Sequence, residues 1–277
     1  MLKHILLIGG DSRLARHFVQ TYGDQFSLEI TTRSGDASYR LDLAENPELW
    51  TLPQEIEAIV IFASLTNILE CEKNPSLAYQ INVNGISRLI DRINSSKVRC
   101  LYLSTSCVFS MTSYDLSEYG KLKPETIYGQ TKKSAEEIVL LSPNNAVLRM
   151  SKIFGLPSIL NDWKSALSLN QHVNAFENLR VAPLHISYAS KAIYDWLVNP
   201  YCGISHVSTS TDLTYYELAC HLAASNGYSL KYVNPIDVAS QHHLSLVYLP
   251  TAANLLCTMA RSTCVPIEYS LRKLIAM

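Results

Sequence analysis

Residues 4–15, HILLIGGDSRLA, give the first indication of the fold of this 277-residue chain. A short apolar strand at 4–8 runs directly into two glycines, and an amphipathic helix begins at about residue 12. Strand, glycine turn and helix in this order are typical of a nucleotide-binding α/β unit, because a helix N-terminus there favours phosphate. The stretch predicts a sheet that binds ligands at the ends of its strands.

The same alternation continues for about 150 residues. Apolar runs predict strands and longer amphipathic segments predict helices; the strands are 27–32, 58–63, 100–104 and 146–149, and the helices are 75–94 and 127–141. Such βαβ repetition predicts an α/β fold, a Rossmann-type doubly wound parallel sheet. We expect residues 1–150 to form the NAD(P)-binding domain. Residues 151–277, with more proline-bearing loops, would form a smaller C-terminal substrate lobe, some of whose segments can return to the sheet.

Composition excludes several classes of protein. The chain is 48% hydrophobic and 17% charged, with a net charge of −1, so we expect no nucleic-acid or membrane partner. The start of the chain lacks a signal-peptide pattern, which predicts a cytoplasmic protein. The seven cysteines form no CxxC pair and are expected to be reduced core thiols. The adjacent His242 and His243 have no nearby ligand partners in sequence, so no metal site is predicted.

The glycine loop alone leaves two interpretations open. In the GxxGxxG spacing of extended short-chain enzymes, the three positions are Gly9, Ser12 and Ala15. Gly9 suits the tight turn and Ala15 suits close helix–strand packing, but Ser12 stands where glycine lets backbone approach the pyrophosphate. The loop therefore fits a cofactor site and an ordinary strand–helix turn equally well.

Residues near the second strand bear on the choice of cofactor. Arg33 comes just after that strand, at the position that contacts the adenosine ribose in such sites, and Arg13 lies in the glycine loop. Arginines there suit a 2′-phosphate better than a 2′-hydroxyl, which favours NADP over NAD. Asp42 and Leu43 could contact adenine or form a simple turn.

A YxxxK spacing occurs three times, so context must decide which copy matters. Tyr119/Lys123 lies in a polar stretch and Tyr269/Lys273 at the end of the chain, and both are expected to be structural. Tyr128 and Lys132 begin an amphipathic helix, share one face, and follow the strand end at 104–106. That placement predicts that the second pair reaches the cofactor crevice.

The residue types suit carbonyl reduction. Hydride transfer to a ketone needs a proton donor at its oxygen, and a free tyrosine, with a pKa of about 10, is a weak one. We expect the Lys132 cation to lower the pKa of Tyr128 and to bind the nicotinamide ribose. A hydroxyl from Thr105 would hold the carbonyl oxygen. Arg149, on a buried strand, is expected to form a structural ion pair.

Three motifs together resemble the extended short-chain dehydrogenase/reductases, and within them the dTDP-4-dehydrorhamnose reductase branch. They are STSCVF at 104–109, YGQTK at 128–132 and LRMSKIFG at 148–155. The resemblance implies a catalytic triad of Thr105, Tyr128 and Lys132. It also implies cofactor contacts that combine with those above: Gly9, Ser12, Arg13, Leu14, Arg33, Asp42, Leu43, Ala63, Ser64 and Lys132.

The implied function is NADPH-dependent reduction of a nucleotide-linked 4-keto-6-deoxy sugar, as in the dTDP-rhamnose pathways of polysaccharide biosynthesis. A nucleotide-sugar substrate is then the expected partner, and a homodimer is compatible with the family. Ser106-Cys107 replaces the usual Asp-Tyr, Leu69 replaces an acidic residue, and Leu249 replaces an arginine. These departures leave the identity of the sugar open. An epimerase or dehydratase of the same superfamily and a non-catalytic NAD(P)-binding regulatory protein are the alternatives.

Overall fold

The computed structural model describes residues 3–277 except for 35–38, 51, 54, 94–97, 114, 156, 241–249 and 251. His242, His243 and Leu249, noted in the sequence, lie outside the described residues. The strands of the first half are β1 (His4–Ile8), β2 (Ser27–Thr32), β3 (Tyr39–Arg40), β4 (Ala58–Ile61), β5 (Arg99–Thr105) and β6 (Ala146–Met150). The helices between them are α1 (Arg13–Tyr22), α2 (Ile68–Lys73), α3 (Pro75–Tyr79), α4 (Ile86–Ile93) and α5 (Ile127–Val139).

The second half has shorter elements. Its strands are β7 (Ile153–Phe154), β8 (Val173–Phe176), β9 (Arg180–Val181), β10 (Leu184–His185), β11 (Gly203–Thr209), β12 (Leu213–Thr214), β13 (Val233–Ile236) and β14 (Thr263–Val265). Its helices are α6 (Ile159–Ser168), α7 (Ile186–Val198), α8 (Tyr215–Ser225) and α9 (Ile267–Ala276).

Eight of the described strands form one parallel sheet in the order β14-β11-β6-β5-β4-β1-β2-β3. The chain moves outward from β1 through β2 to β3 and then returns to the other side of β1 with β4. Ligands of open α/β sheets bind at the carboxyl ends of the strands beside such a reversal. The predicted doubly wound α/β fold is therefore confirmed, and the crevice lies beyond the ends of β1 and β4.

Apolar layers cover both faces of this sheet. On one face α1 and α7 pack around Phe18 and Trp196, and on the other α4 and α5 pack around Trp50 and Tyr102. The central strands are buried on both faces, which explains their continuous apolar runs in the sequence. Beyond residue 150, β11 and β14 extend the sheet, while a third apolar cluster joins α6, α8 and α9. The division into two domains at residue 150 stays a prediction.

The segment expected to form one helix over 75–94 has three parts. A π-helical stretch, Gln80–Gly85, separates α3 from α4. Within it Asn82 is fully buried, and its side chain bonds to Ser64, Leu65 and Thr131. A π-helical turn inserts one extra residue, and such turns are frequent at functional sites. Here the turn brings an amide side chain against the end of β4 and the middle of α5.

The cysteines are all free, but only some of them are core residues. Cys71, Cys100 and Cys107 are buried, whereas Cys202 and Cys264 are exposed. The expectation that all seven are core thiols is wrong for the two exposed ones, because they lie in the second half near the edge of the sheet. No helix in the described part of the chain is long and apolar enough to cross a membrane.

Candidate active site

The helix α5 is held unusually close to the end of β5. Thr126 caps its first turn by accepting from the Gly129 amide at 3.0 Å. A Cβ atom at Gly129 would lie 2.2 Å from the Cys107 carbonyl oxygen, so only glycine permits this approach. The helix is thereby fixed with the Tyr128 side chain against the strand end that contains Thr105.

Tyr128 is buried beside Thr105. Burial raises the pKa of the phenol strongly, the neighbouring Cys107 thiol adds to this, and a side-chain hydrogen bond with Thr105 opposes it. Thr105 Oγ1 also accepts from the Cys107 amide at 3.2 Å, which fixes the threonine side chain. Two hydroxyl groups therefore meet in a desolvated place, as the sequence predicted from the strand end and the helix.

Lys132 lies one turn later and is also buried. Its Nζ donates to the Leu103 carbonyl oxygen at 2.6 Å and lies 4.0 Å from the centre of the Tyr102 ring. Burial lowers the pKa of Lys132 to about 7, and the nearby Glu136 carboxylate limits this fall. The expectation that Lys132 lowers the pKa of Tyr128 is wrong for this conformation. The ammonium group points to Leu103 and Tyr102. Burial of the Tyr128 phenol is the largest influence on its pKa and raises it.

Glu136 occupies the next turn of the same helix face. Its carboxylate pairs with Arg149 at 2.7 Å, and both side chains are almost fully buried. The structural ion pair expected for Arg149 is therefore present. Its partner Glu136 was not predicted, although the spacing of residues 128, 132 and 136 already places all three side chains on one face of the helix.

A cavity of about 430 Å³ opens in front of these residues. Residues from both halves of the chain line it. The predicted site residues among them are Ser12, Arg13, Leu14, Ser64, Thr105, Tyr128 and Lys132. The structure therefore brings the glycine loop, the end of β4 and the triad to one crevice. The other copies of the YxxxK spacing lie elsewhere: Tyr119 is 78% exposed and Tyr269 is 54% exposed.

The remaining predicted cofactor residues are not among the described residues of the cavity wall. Leu43 is buried in the core, and Asp42 accepts from the Ala44 amide in a turn. Arg33 is exposed, and its amide donates to Asp11. Gly9 and Ala63 form a close backbone contact behind the wall.

The backbone conformation of the glycine loop is suited to binding a dinucleotide phosphate. Gly9 has φ +89°, and a Cβ atom there would lie 2.7 Å from the Ala63 backbone nitrogen. At Gly10 a Cβ atom would lie 2.2 Å from the Ile30 side chain. Ser12, the departure that weakened the sequence argument, has φ −68° and caps α1 by accepting from the Ala15 amide. Its backbone therefore does not need glycine, and the helix N-terminus still faces the cavity.

Two hydroxyl groups in the cavity wall also fit a polar ligand. Ser104 Oγ and Ser151 Oγ are buried and have no hydrogen-bond partner within the described structure. Buried hydroxyls are normally paired, so these groups are available to a bound molecule. Both lie at or just beyond the carboxyl ends of neighbouring strands, β5 and β6.

Most other residues of the wall were not predicted as site residues. Those with a reactive, charged or hydrogen-bonding side chain include Cys107, Lys152, Arg180 and Tyr215. Lys152 stood within a quoted motif, and its charge was the available signal. Arg180 and Tyr215 come from short elements of the second half, and no local sequence pattern specifies where such elements pack. Among the described residues, no group of three His, Cys, Asp or Glu side chains could hold a metal ion.

The chain is similar to known proteins in sequence and in structure. The model of the "RmlD substrate binding domain" family matches residues 3–273. The spore coat polysaccharide biosynthesis protein SpsK of Bacillus subtilis is 26% identical over 177 residues, 62% of each chain. A dTDP-4-dehydrorhamnose reductase of Aggregatibacter actinomycetemcomitans is 27% identical over 160 residues, 56% of this chain and 53% of that protein.

Another relative and a solved structure are similar to this chain. Methionine adenosyltransferase 2 subunit beta of Bos taurus is 27% identical over 184 residues, 60% of this chain and 53% of that protein. The chain thus aligns with less than two thirds of the length of these relatives. The crystal structure of dTDP-4-dehydrorhamnose reductase from Bacillus anthracis in complex with NADP superposes with a TM-score of 0.82 at 17% identity, covering 100% and 99% of the two chains. That likeness shows a shared fold.

Proposed function

This chain belongs to the RmlD substrate binding domain family, and from that premise we propose that it is an NADPH-dependent reductase of a nucleotide-linked sugar ketone. The observation that supports this most directly is the meeting of Thr105, Tyr128 and Lys132 at one end of the cavity. Among the three YxxxK copies, this is the one whose tyrosine and lysine both line the cavity wall.

The cavity wall also suits the cofactor. The α1 N-terminus and Arg13 would hold its phosphates, Arg33 would approach a 2′-phosphate, and Lys132 would bind the nicotinamide ribose. Gly9, Ser12, Leu14, Ala63 and Ser64 would contact it through backbone or short side chains. NADPH supplies the hydride when bound. Support for NADP comes from the arginines at these positions and from the NADP complex of the superposed reductase.

The three side chains of the triad have different roles at the substrate oxygen. Thr105, fixed by its bond to the Cys107 amide, donates to the carbonyl oxygen and orients it. Tyr128 protonates that oxygen as charge develops on it. The pKa of the phenol is raised in the absence of ligands, so it carries its proton until the substrate is in place. Lys132, whose pKa is near 7, can replace the proton that Tyr128 has given up.

The finer proposal names the sugar. We infer a nucleotide-linked 4-keto-6-deoxy sugar, as the names of the reductase relatives indicate for those proteins. A cytoplasmic setting and a homodimer remain expectations of the same kind.

NADPH oxidation with dTDP-4-keto-6-deoxyglucose tests the function. Tyr128→Phe should lower kcat by about 10²–10⁴-fold, since it removes the proton donor. The matched control is Tyr119→Phe, an exposed tyrosine of the same spacing, which should retain full activity. NADP binding by calorimetry should be unchanged in both variants. If the wild-type protein and Tyr128→Phe were equally inactive with all nucleotide-sugar ketones, the reductase proposal would be wrong.

A non-catalytic regulatory role is the second candidate. The match to methionine adenosyltransferase 2 subunit beta favours it. Calorimetry separates the two candidates, because a protein that binds NADP but turns over no ketone would support the regulatory role. An epimerase or dehydratase is less well supported. Such enzymes add an acid/base pair beside the tyrosine, and no carboxylate is among the described residues of the cavity wall.

A further inference from the structure

The charges in the cavity wall are all of one sign. Four basic side chains line it, and no Asp or Glu is among its described lining residues; the basic residues are Arg13, Lys132, Lys152 and Arg180. A low-dielectric cleft with one sign of charge attracts ligands of the opposite sign. The wall therefore suits anionic ligands. The four basic side chains differ in the partners that they already contact.

Three of the four cations are already engaged. Arg13 donates to the Pro157 carbonyl oxygen, and Lys132 donates to Leu103. Arg180 forms an ion pair with the Asp212 carboxylate and also donates to the Asp212 backbone carbonyl oxygen. The same carboxylate accepts from the Ala253 amide. An arginine neutralised in this way shapes the wall more than it attracts an anion.

Lys152 is the exception. It is exposed in the cavity, and within the described structure its side chain has neither a hydrogen bond nor an ion pair, although its backbone carbonyl accepts from the Leu184 amide. Lys152 follows β6, whose last residue Met150 pairs with Thr105 of β5, so Lys152 lines the cavity on the side of Thr105. Burial raises the pKa of the Cys107 thiol there, and the charge of Lys152 opposes this rise. An unpaired ammonium group therefore lies at the reacting end of the cleft and not at the glycine loop.

We propose that Lys152 is a specificity-determining residue that binds an anionic oxygen group of the substrate close to the reacting carbonyl. Two parts of a nucleotide sugar have this chemistry: the phosphate attached to the sugar and a carboxylate on the sugar itself. Both would be held by charge-assisted hydrogen bonds from Nζ. This inference rests on the proposed function, and it goes further by assigning a charge to the substrate near its reacting carbon.

Calorimetry with NADP-saturated protein tests the inference. The probes are dTDP, dTDP-glucose, UDP-glucose and UDP-glucuronate, and the variants are Lys152→Met, Lys152→Arg and the control Lys133→Met. Lys133 is partly exposed on α5, in an ion pair with Glu137. Lys152→Met should weaken binding of at least one probe by about 10- to 100-fold, the usual effect of a lost charged hydrogen bond. Lys152→Arg should restore most of it, and Lys133→Met should change nothing.

The probes distinguish the two sources of the anion. Equal weakening of all four by Lys152→Met identifies the phosphate. Weakening confined to UDP-glucuronate identifies a carboxylate and makes the substrate a sugar acid instead of a 6-deoxy sugar. If Lys152→Met binds every probe as the wild type does, or if the wild type binds NADP but none of the probes, the inference is overturned. Failure of the wild type to bind NADP would instead count against the proposed function.

Discussion

The guanidinium of Arg149 donates to both carboxylate oxygens of Glu136 inside the protein, with a closest separation of 2.7 Å. Glu136 is on the same face of α5 as Tyr128 and Lys132, and Arg149 is on β6 beside the strand that contains Thr105. Arg149 also contacts the Glu118 carbonyl oxygen and His206. The ion pair therefore joins the helix of the proposed catalytic residues to the centre of the sheet.

Glu136→Gln should destabilise the protein by about 3–5 kcal/mol, because it leaves the Arg149 charge buried without its partner. The measurement is the free energy of unfolding in urea at pH 7. Glu137→Gln, in the exposed Lys133–Glu137 pair on the same helix, is the control and should change stability by less than about 0.5 kcal/mol. Equal effects of the two substitutions would show that the buried ion pair contributes no more to stability than the surface pair does.

Lys132 should make stability depend on pH above neutrality. Burial lowers its pKa from 10.5 to about 7 in the folded protein. Between these values the unfolded chain binds the proton and the folded one does not, so stability rises with pH. Below about pH 7 the full penalty of a buried charge is present.

The test compares the wild type with Lys132→Met. From pH 7 to pH 9 the unfolding free energy of the wild type should rise by about 2 kcal/mol relative to the variant. Lys133→Met, at a partly exposed position on the same helix, should follow the wild type. Parallel wild-type and Lys132→Met curves over this range would mean that Lys132 is not desolvated.

Glu118 should give a pH dependence of the opposite kind. Burial alone would raise its pKa, but hydrogen bonds from Ser262, Thr258 and the Met259 amide outweigh it and lower the pKa to about 2. A depressed carboxyl pKa stabilises the protein above about pH 4.5, and the gain is lost as pH falls toward 2.

Unfolding measured from pH 5 to pH 3 should therefore show a loss of about 2 kcal/mol in the wild type that is absent in Glu118→Gln. Hydrogen exchange of residues 255–262 should also become faster in the variant, because the carboxylate fixes that segment. Glu137→Gln should keep the wild-type slope. Unchanged exchange in Glu118→Gln would argue that the segment is held by other contacts.

Gly9→Ala should impair both folding and NADP binding. The residue has φ +89°, and the new Cβ would meet the Ala63 backbone at 2.7 Å. Gly227→Ala separates strain from clash, since Gly227 has φ +73° but no atom within 4 Å of its Cβ position. Gly227→Ala should cost about 1 kcal/mol of stability and leave NADP affinity intact. If Gly9→Ala proves no worse than Gly227→Ala in melting temperature and calorimetry, the close contact is unimportant.

The parallel sheet was predictable from the sequence because its strands are short, apolar and separated by helices. Ala146–Met150 is buried at every position, as an internal strand between two helical layers must be. The position of the Tyr128 helix was predictable for a related reason. Its N-cap and its distance from the strand end at Thr105 are local features that a reader of the sequence can see.

Other parts of the site depend on contacts between distant residues. Arg180 and Tyr215 reach the cavity from short elements of the second half, and local pattern does not specify where such elements pack. The direction in which the buried Lys132 ammonium group points was also not predicted. The sequence places Lys132 one turn from Tyr128, but only the structure shows that its ammonium group points to the Leu103 carbonyl.

The π-helical stretch Gln80–Gly85 is a place where this part of the chain can lose one residue and keep its helical phase. A π-helical turn absorbs one extra residue, so a single deletion there would restore ordinary α-helical pitch and leave the later side chains in register. The apolar stripe of α4, formed by Ile86, Leu89, Ile90 and Ile93, would then stay in the core, but the turn that holds Asn82 beside Ser64 would be lost. Single-residue gaps at this stretch in aligned related sequences should therefore mark relatives that lack this amide contact.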